Sequence, residues 1–281
     1  MNEHLPVDKT FKLFIGGAFP RSESGRTFAV RDAKGALLAN ASQASRKDLR
    51  EAVRAARGAQ ESWAGRTAYN RGQILYRAAE MMEARRPEFV SVLRQIGVTP
   101  KAASKQVDQA IDRWVWYAGW ADKTHHILGT VNPVAGPYFN FTFPEPTGVV
   151  GVMAPDEPAL LGLVSRLAAV IVSGHTAVAV VEGPASLAAI TLAEVLATSD
   201  LPGGVVNLLT GDKNELLPWM MGHLDINAVD LTGAPEDLDP TILEEAAVNV
   251  KRTVWGDPTA ESPYAIADFL EMKTVWHPIG K

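Results

Sequence analysis

The second half of the chain alternates between short apolar β-runs and helical segments, and this pattern constrains the fold more than any other feature. Parallel strands need long crossover connections, and helices of this length supply them. The pattern therefore predicts an α/β fold, with a Rossmann-like parallel sheet and helices on both of its faces. Any ligand is expected at the carboxyl ends of the strands. The predicted strands are Val149–Ala154, Ala177–Val181, Val205–Leu209, Ile226–Leu231 and Lys251–Trp255.

The first half of the chain is predicted to be a hairpin followed by four helices. "FKLFIGG" predicts a strand at Phe11–Ile15 and a turn at Gly16–Gly17, with Thr27–Val30 on a later strand. "SRKD", Ser45–Asp48, is a capping-box signature at the start of the first helix. The fourth helix carries an aromatic stripe that we interpret as core: Trp114, Trp116, Tyr117 and Trp120.

The segment "VNPVAGPYFNFTFPEPTG" lies between the helices and the βα repeats. Tyr138–Phe143 alternates as a strand, with Pro137 before it and Pro144 and Pro146 after it. Flanking prolines favour an edge strand or an extended arm over a central strand. After Gly256, a short polar linker leads to a final predicted strand.

Composition excludes several classes of function. The chain has 281 residues with a net charge of −5, so it has no basic footprint for nucleic acid or an anionic membrane. No apolar run approaches the roughly 20 residues of a transmembrane helix, and the N-terminus lacks a secretory pattern. We therefore expect a cytoplasmic protein. The chain contains no cysteine, which excludes a thiolate metal site and a cysteine nucleophile.

Seven segments of the chain resemble the aldehyde dehydrogenase superfamily, in that family's order. They are "FIGGAFPRSESGRTF", "AVRAARGAQESWAGRTAYNRGQILYRAAEMME", "EPTGVVGVMAP", "SGHTAVAVVEGPASLAAITLAEVL", "LPGGVVNLLTGD", "INAVDLTGA" and "FLEMKTVW". The resemblance implies a truncated, pseudoenzyme-like paralogue that lacks the family's catalytic domain. It divides the chain into an N-terminal hairpin and helices (1–130), an oligomerisation arm (131–147), Rossmann-like βα repeats (148–256), and a linker with a C-terminal oligomerisation strand (257–281).

The resemblance implies no catalytic residue in this chain. The family's turn after the first Rossmann strand reads Pro-Trp-Asn, and its Asn amide donates to the developing oxyanion. Aligned on Pro155, the Asn position holds Glu157, which cannot donate when ionised. Losing one such donor lowers the rate about 10²–10³-fold. We interpret Asp156 and Glu157 as solvated loop or helix-start carboxylates. The family's general base and cysteine domain, expected after Trp255, are replaced by the short linker.

The cofactor positions of the family are also altered. The family's ribose-binding Lys and Glu fall on Val180 and Gly183, although the neighbouring Glu182 could reach a ribose hydroxyl. The turn "LTGA" resembles the family's Phe-Thr-Gly-Ser turn, which places pyrophosphate near a helix N-terminus. This leaves Thr232 and Gly233, with Pro155 and Glu182, as vestigial candidates for cofactor binding.

Three carboxylates follow that turn, at Glu236, Asp237 and Asp239, and they would oppose a diphosphate. Asp237 or Asp239 is instead predicted to cap the helix that begins near Pro240. We therefore expect no cofactor, while weak binding of NAD or NADP stays open.

The histidines are interpreted as structural, and no metal site is predicted. Those considered are His125, His126, His175, His223 and His277. Adjacent histidines on a helix project about 100° apart, so the first two do not form an i, i+4 metal pair. His175 aligns with a structural Asn of the family, in front of a strand.

These features predict a catalytically inactive structural or regulatory subunit. Its arm and C-terminal strand would add to the sheet of a full-length aldehyde dehydrogenase in a hetero-oligomer, or the chain would self-associate. The alternative is an NAD(P)-binding oxidoreductase acting on aldehydes, or a nucleotide-binding sensor, that uses backbone contacts at Thr232–Gly233. Neither reading includes a nucleic-acid or membrane partner.

Overall fold

The structure of the chain is a computed structural model that describes residues 9–32 and 34–280. Strands occupy both halves of the described chain, and helices separate them. The strands are β1 (Thr10–Phe11), β2 (Thr27–Arg31), β3 (Leu37–Ser42), β4 (Thr130–Asn132), β5 (Tyr138–Pro146), β6 (Val149–Met153), β7 (Thr176–Val181), β8 (Val206–Thr210), β9 (Ala228–Asp230), β10 (Arg252–Val254) and β11 (Leu270–Pro278). The helices are α1 (Arg46–Ala64), α2 (Ala68–Ala84), α3 (Arg86–Gln95), α4 (Pro100–Ala118), α5 (Thr124–Leu128), α6 (Ala159–Ile171), α7 (Ala185–Leu196), α8 (Lys213–Met221), α9 (Pro240–Glu244) and α10 (Tyr264–Ala267).

The predicted α/β fold is confirmed by a five-stranded parallel sheet in the order β10-β9-β6-β7-β8. Every residue of β6, β7 and β8 is buried, because helices cover both faces of the sheet. Val150 and Val152 pack into the core on the α6 and α7 side. Val149 and Met153 alternate with them and pack into the core on the α1 and α8 side. The chain runs outward from β6 through β7 to β8 and then returns to β9, so the switch point lies between β6 and β9.

The helix predictions for the first half are confirmed where local signals are strong. Ser45 caps α1, and the Asp48 carboxylate accepts a 2.8 Å hydrogen bond from the Ser45 N–H, which completes the predicted capping box. The aromatic stripe of α4 is core only in part. Trp114 and Tyr117 are fully buried, whereas Trp116 is partly buried on a different face of α4. Trp120 lies beyond the end of the helix and is also partly buried. None of the helices in the described residues is long and apolar enough to cross a membrane.

The N-terminal prediction is correct for the turn and for the later strand, which is β2 (Thr27–Arg31), and wrong for the strand at Phe11–Ile15. Ile15 and Ala18 exchange two backbone hydrogen bonds of 3.0 Å around the predicted glycine turn. The segment before it is not one strand, however, because β1 pairs in parallel with β3 and Phe14 pairs with Leu208. The unpredicted β3 lies between β1 and β2. These pairings join segments that are far apart in the sequence, so the pattern of apolar and polar residues within the first segment cannot predict them.

The arm forms a second sheet in the order β11-β5-β4, which corrects the prediction that its strand lies at an edge. Strand β5 is the middle strand, and it pairs antiparallel with all nine residues of β11. Its pairing with β4 covers only Asn140–Thr142. Pro144 and Pro146 therefore lie opposite β11 alone, and their missing N–H groups interrupt no ladder on the β4 side.

Candidate functional site

The switch point is closed by direct contact between the loops that follow β6 and β9. The Gly233 N–H donates a 3.1 Å hydrogen bond to the carbonyl oxygen of Met153. A β-carbon added at Gly233 would overlap the backbone of Ala154 and Pro155. Three of the sequence-predicted cofactor residues, Pro155, Thr232 and Gly233, are therefore brought together. Gly233 lies directly against the backbone of Ala154 and Pro155, so the two loops leave no room for a side chain between them at this position.

The donors of the predicted phosphate turn are used within the protein. The Thr232 N–H and hydroxyl both donate to one oxygen of the Asp230 carboxylate, at 3.0 and 2.5 Å. The same hydroxyl accepts a 2.9 Å hydrogen bond from the Gly256 N–H. The Ala234 N–H donates to the Leu231 carbonyl oxygen at 3.0 Å. Consecutive backbone donors that would bind a diphosphate thus already have partners.

A buried ion pair that the sequence analysis missed underlies this turn. Asp230 is fully buried, and it accepts a hydrogen bond from the Nε of Arg166, which is only 2% exposed. The guanidinium also packs against Gly256, where a β-carbon would overlap it. Asp230 is the single charged residue in the stretch "INAVDL", and Arg166 is the single charged residue in "LVSRLAAV". Two isolated charges of opposite sign in apolar stretches are the sequence feature that could have indicated a buried ion pair.

The linker between β10 and β11 has fifteen residues, 255–269, and it lies over the switch point. Pro258 packs close to Gly162, and Gly162 also lies against Pro155. Arg113 is 5% exposed and holds the linker by donating to the carbonyl oxygens of Thr259, at 3.0 Å, and Ala260. Farther along, the linker buries the side chains of Ala265, Ile266 and Phe269.

The two carboxylates of the β6 loop have different surroundings. Asp156 accepts a 2.7 Å hydrogen bond from the ammonium group of Lys213, a side chain that is only 2% exposed. Glu157 is exposed, and its side chain has no hydrogen-bond or ion-pair partner among the described residues. The residue aligned with the family's amide donor is therefore a solvated acceptor. Lys213 lies 57 residues from Asp156 along the chain, so no local sequence pattern predicts this pair.

Glu182 lies in a separate groove from the other cofactor candidates. The groove has a volume of about 780 Å³, and Asp156 and Glu157 line it together with Glu182. Burial raises the pKa of Glu182, and a hydrogen bond from the Lys213 backbone partly opposes this increase. The structure therefore separates the predicted ribose contact from the Thr232–Gly233 turn.

Two of the four helices that follow strands of the parallel sheet, α8 and α9, are capped at their N-termini by carboxylates, whereas α6 and α7 have no side-chain cap. Asp212 caps α8 by accepting a 2.8 Å hydrogen bond from the Asn214 N–H. Asp239 caps α9, as predicted, and the hydrogen bond from the Thr241 N–H lowers the pKa of Asp239. A helix N-terminus binds an anion through free N–H groups and its dipole, and a carboxylate already in place repels a second anion. These residues do not fit a dinucleotide diphosphate.

His175 has the structural role that the sequence predicts. It is fully buried, and burial lowers its pKa to about 4. Its Nε2 atom lies 2.7 Å from the Phe269 carbonyl oxygen and 3.0 Å from the Thr147 nitrogen. Among residues 9–32 and 34–280, no group of three histidines or carboxylates could hold a metal ion.

The comparison with known proteins assigns the family. Residues 19–273 match the sequence model of the Aldehyde dehydrogenase family. The chain belongs to the aldehyde dehydrogenase family. An aldehyde dehydrogenase of Enchytraeus buchholzi is 32% identical over 254 residues, which are 88% of this chain and 50% of that protein. Cytosolic 10-formyltetrahydrofolate dehydrogenase of Mus musculus is 31% identical over 271 residues, which are 93% of this chain and 30% of that protein.

Solved structures of family members have the same fold. The NAD⁺ complex of the aldehyde dehydrogenase from Bacillus cereus matches with a TM-score of 0.79 and 28% identity, over 87% of this chain and 50% of that one. The chain spans about half the length of that aldehyde dehydrogenase and of the Enchytraeus relative. The family resemblance and the Rossmann-like fold inferred from the sequence are confirmed.

Proposed function

We propose that this chain is a catalytically inactive member of the aldehyde dehydrogenase family that assembles as a structural or regulatory subunit with a full-length aldehyde dehydrogenase. The observation that carries the proposal is the β4–β5–β11 sheet, which offers an apolar face and an unpaired strand edge. Its strands are joined to the parallel sheet through Thr147 and Phe269.

One face of this sheet carries a row of aromatic rings. The ring centroids of Phe139 and Phe141 are 5.4 Å apart, and those of Phe141 and Phe143 are 6.0 Å apart. Val131 lies opposite Phe141 in the neighbouring strand and is 67% exposed, and Phe139 is 44% exposed. Contiguous exposed apolar side chains, unlike scattered ones, are typical of a protein interface.

The edge of the same sheet supports strand addition. Strand β11 pairs with β5 along its whole length, and its other side has no strand partner among the described residues. An unpaired edge is a template for a strand from another chain, because its free N–H and C=O groups need partners. The partner that fits this edge is a subunit that has an unpaired strand edge of its own.

The proposed inactivity rests on the groups that aldehyde oxidation by the family requires. A thiolate nucleophile, an oxyanion donor and a bound nicotinamide must act together. The chain has no cysteine, Glu157 stands at the donor position, and the turn at Thr232–Gly233 has no free donors. These features favour a non-catalytic subunit over an NAD(P)-dependent oxidoreductase or a nucleotide sensor.

Co-expression with a full-length aldehyde dehydrogenase of the same organism tests the assembly. Size-exclusion chromatography with light scattering should show one species that contains both chains, with a mass different from that of the enzyme alone. Elution of the chain as a lone monomer or homo-oligomer beside an unaffected enzyme would contradict the proposal.

Matched variants distinguish assembly through this sheet from non-specific hydrophobic association. The double variant Val131→Ser and Phe139→Ser should lower the fraction of the chain in the complex, because it makes the sheet face polar. Leu224→Ser is the control, since Leu224 is 66% exposed and lies outside this sheet. Equal losses in both variants would speak against assembly through the sheet.

A further inference from the structure

A second groove, of about 700 Å³, lies between α1, α8 and α9, away from the switch point. Pockets that bind small molecules typically have volumes of about 300–1,000 Å³. Pro218 and Ile242 contribute apolar surface, and the indole of Trp219 adds an aromatic wall. Neither the family's catalytic positions nor the proposed assembly surface uses this groove.

One wall of the groove is cationic. Arg46 and Arg50 lie one turn apart on α1, and the Arg46 guanidinium lies 3.8 Å from the centroid of the Trp219 ring. Among the described residues, Arg46 has no ion-pair partner, and Arg50 has only its neighbour Glu51, at 3.6 Å. Like charges at i, i+4 destabilise a helix, and cations are unfavourable near its N-terminus. Helix stability therefore does not explain this pair.

The opposite wall is anionic. Glu244 and Glu245 line it, and their side chains have no hydrogen-bond or ion-pair partner within the described part of the chain. No ion pair within 4.0 Å joins them to the arginines across the groove. His223 adds no third cation at neutral pH, because burial lowers its pKa. The groove thus keeps two positive and two negative groups apart across an apolar floor.

We propose that this groove binds a small zwitterion with an apolar or aromatic body, of the amino-acid class. The ligand's carboxylate would lie against Arg46 and Arg50, because guanidinium groups bind carboxylates through two parallel hydrogen bonds. Its ammonium group would lie against Glu244 and Glu245. Its body would pack on Pro218, Ile242 and the part of the Trp219 ring that Arg46 does not cover. This inference does not depend on the proposed assembly, since it concerns a different surface.

Three probes with the same aromatic body test the charge pattern in the isolated full chain. They are L-phenylalanine, which carries both charges, 3-phenylpropanoate, which lacks the ammonium group, and phenethylamine, which lacks the carboxylate. Isothermal titration should give L-phenylalanine an affinity at least about tenfold above that of either single-charge probe, since each charge-assisted contact adds about this much. Equal affinities, or no binding of L-phenylalanine, would overturn the proposal.

Variants of the groove test which side chains bind the carboxylate of the ligand and which bind its ammonium group. Arg50→Gln should lower the affinity for L-phenylalanine and leave that for phenethylamine unchanged. Glu244→Gln with Glu245→Gln should lower the affinity for L-phenylalanine and leave that for 3-phenylpropanoate unchanged. Arg54→Gln is the matched control, because Arg54 lies one turn farther along α1 and does not line the groove. A loss in Arg54→Gln equal to that in Arg50→Gln would show a non-specific charge effect and reject the site.

Discussion

Gly233 is the residue at which the two loops of the switch point touch. Its N–H bonds to Met153, and the backbone of Ala154 and Pro155 occupies the space where a side chain would start. The glycine that resembles part of the family's phosphate turn therefore serves close packing in this chain. At the scale of single residues, groups that could bind a cofactor instead bind other parts of the protein.

Gly233→Ala should lower the free energy of unfolding by about 1–3 kcal/mol, because the added methyl group forces the two loops apart. Gly58→Ala is the control, since Gly58 lies on α1 with open space around it. This substitution should raise the free energy of unfolding by up to about 1 kcal/mol. Urea denaturation measures both. A Gly233→Ala variant as stable as the original chain would mean that the loops do not touch as described.

His175 should make stability depend on pH below neutrality. It is neutral in the folded chain, where burial lowers its pKa to about 4, whereas its usual value is 6.5. The unfolded chain therefore binds the proton first as the pH falls. The stability contribution of His175 is fully present above about pH 6.5 and is lost towards pH 4, by up to about 3 kcal/mol.

Urea denaturation between pH 7 and pH 4.5 checks this dependence. His175→Asn removes the titrating group and keeps an amide that can donate to Phe269, so its stability should fall less steeply over the same range. Parallel pH profiles for the two proteins would show that His175 does not titrate on unfolding.

At the scale of elements, local signals made the helices and the parallel strands predictable. The capping box at Ser45–Asp48 and the apolar spacing after it indicate α1 without any tertiary information. The position of β3 was not predictable, because its pairing with β1 depends on a distant segment. The same holds for Arg166 and Asp230, which are 64 residues apart, and for Lys213 and Asp156. These two ion pairs at the candidate site thus depend on the tertiary fold, and no single sequence motif predicts them.

Hydrogen bonds from Arg113 anchor the linker to the parallel-sheet domain. Arg113→Met should therefore make the linker more mobile. The variant loses the hydrogen bonds to Thr259 and Ala260 and to the Ser165 hydroxyl, while its apolar stem keeps similar volume. Hydrogen exchange measured by mass spectrometry should become faster in residues 257–269 and remain unchanged in β6–β8. Arg77→Met is the control, because Arg77 is exposed and pairs only with Glu80. Unchanged exchange in the linker would contradict its anchoring by Arg113.

At the scale of the whole molecule, the chain combines a closed α/β body with an open β-sheet. The body pairs the buried charges of Arg166 and Asp230 with each other, and the two loops of its switch point are in direct contact. The β4–β5–β11 sheet instead keeps an apolar face and a free edge. This asymmetry is consistent with the proposed role of the chain as a subunit that assembles through its β4–β5–β11 sheet.

Titration with NAD⁺ or NADP⁺ should give no binding heat at millimolar cofactor. The donors of Thr232 and Gly233 are occupied, and the α8 and α9 N-termini carry carboxylates. The full-length Bacillus cereus relative, whose structure contains NAD⁺, is the positive control. Saturable binding of NAD⁺ or NADP⁺ to the isolated chain would contradict this prediction and support the alternative of a nucleotide-binding function.

NADH formation by the purified chain tests most directly our proposal that this chain has the family's fold without its chemistry. The isolated chain is mixed with NAD⁺ and a panel of aliphatic and aromatic aldehydes, and NADH absorbance is followed over time. We predict a rate no higher than that of the buffer blank, because the chain has no cysteine and Glu157 stands at the family's oxyanion-donor position. Steady NADH formation in proportion to the concentration of the chain would contradict the account.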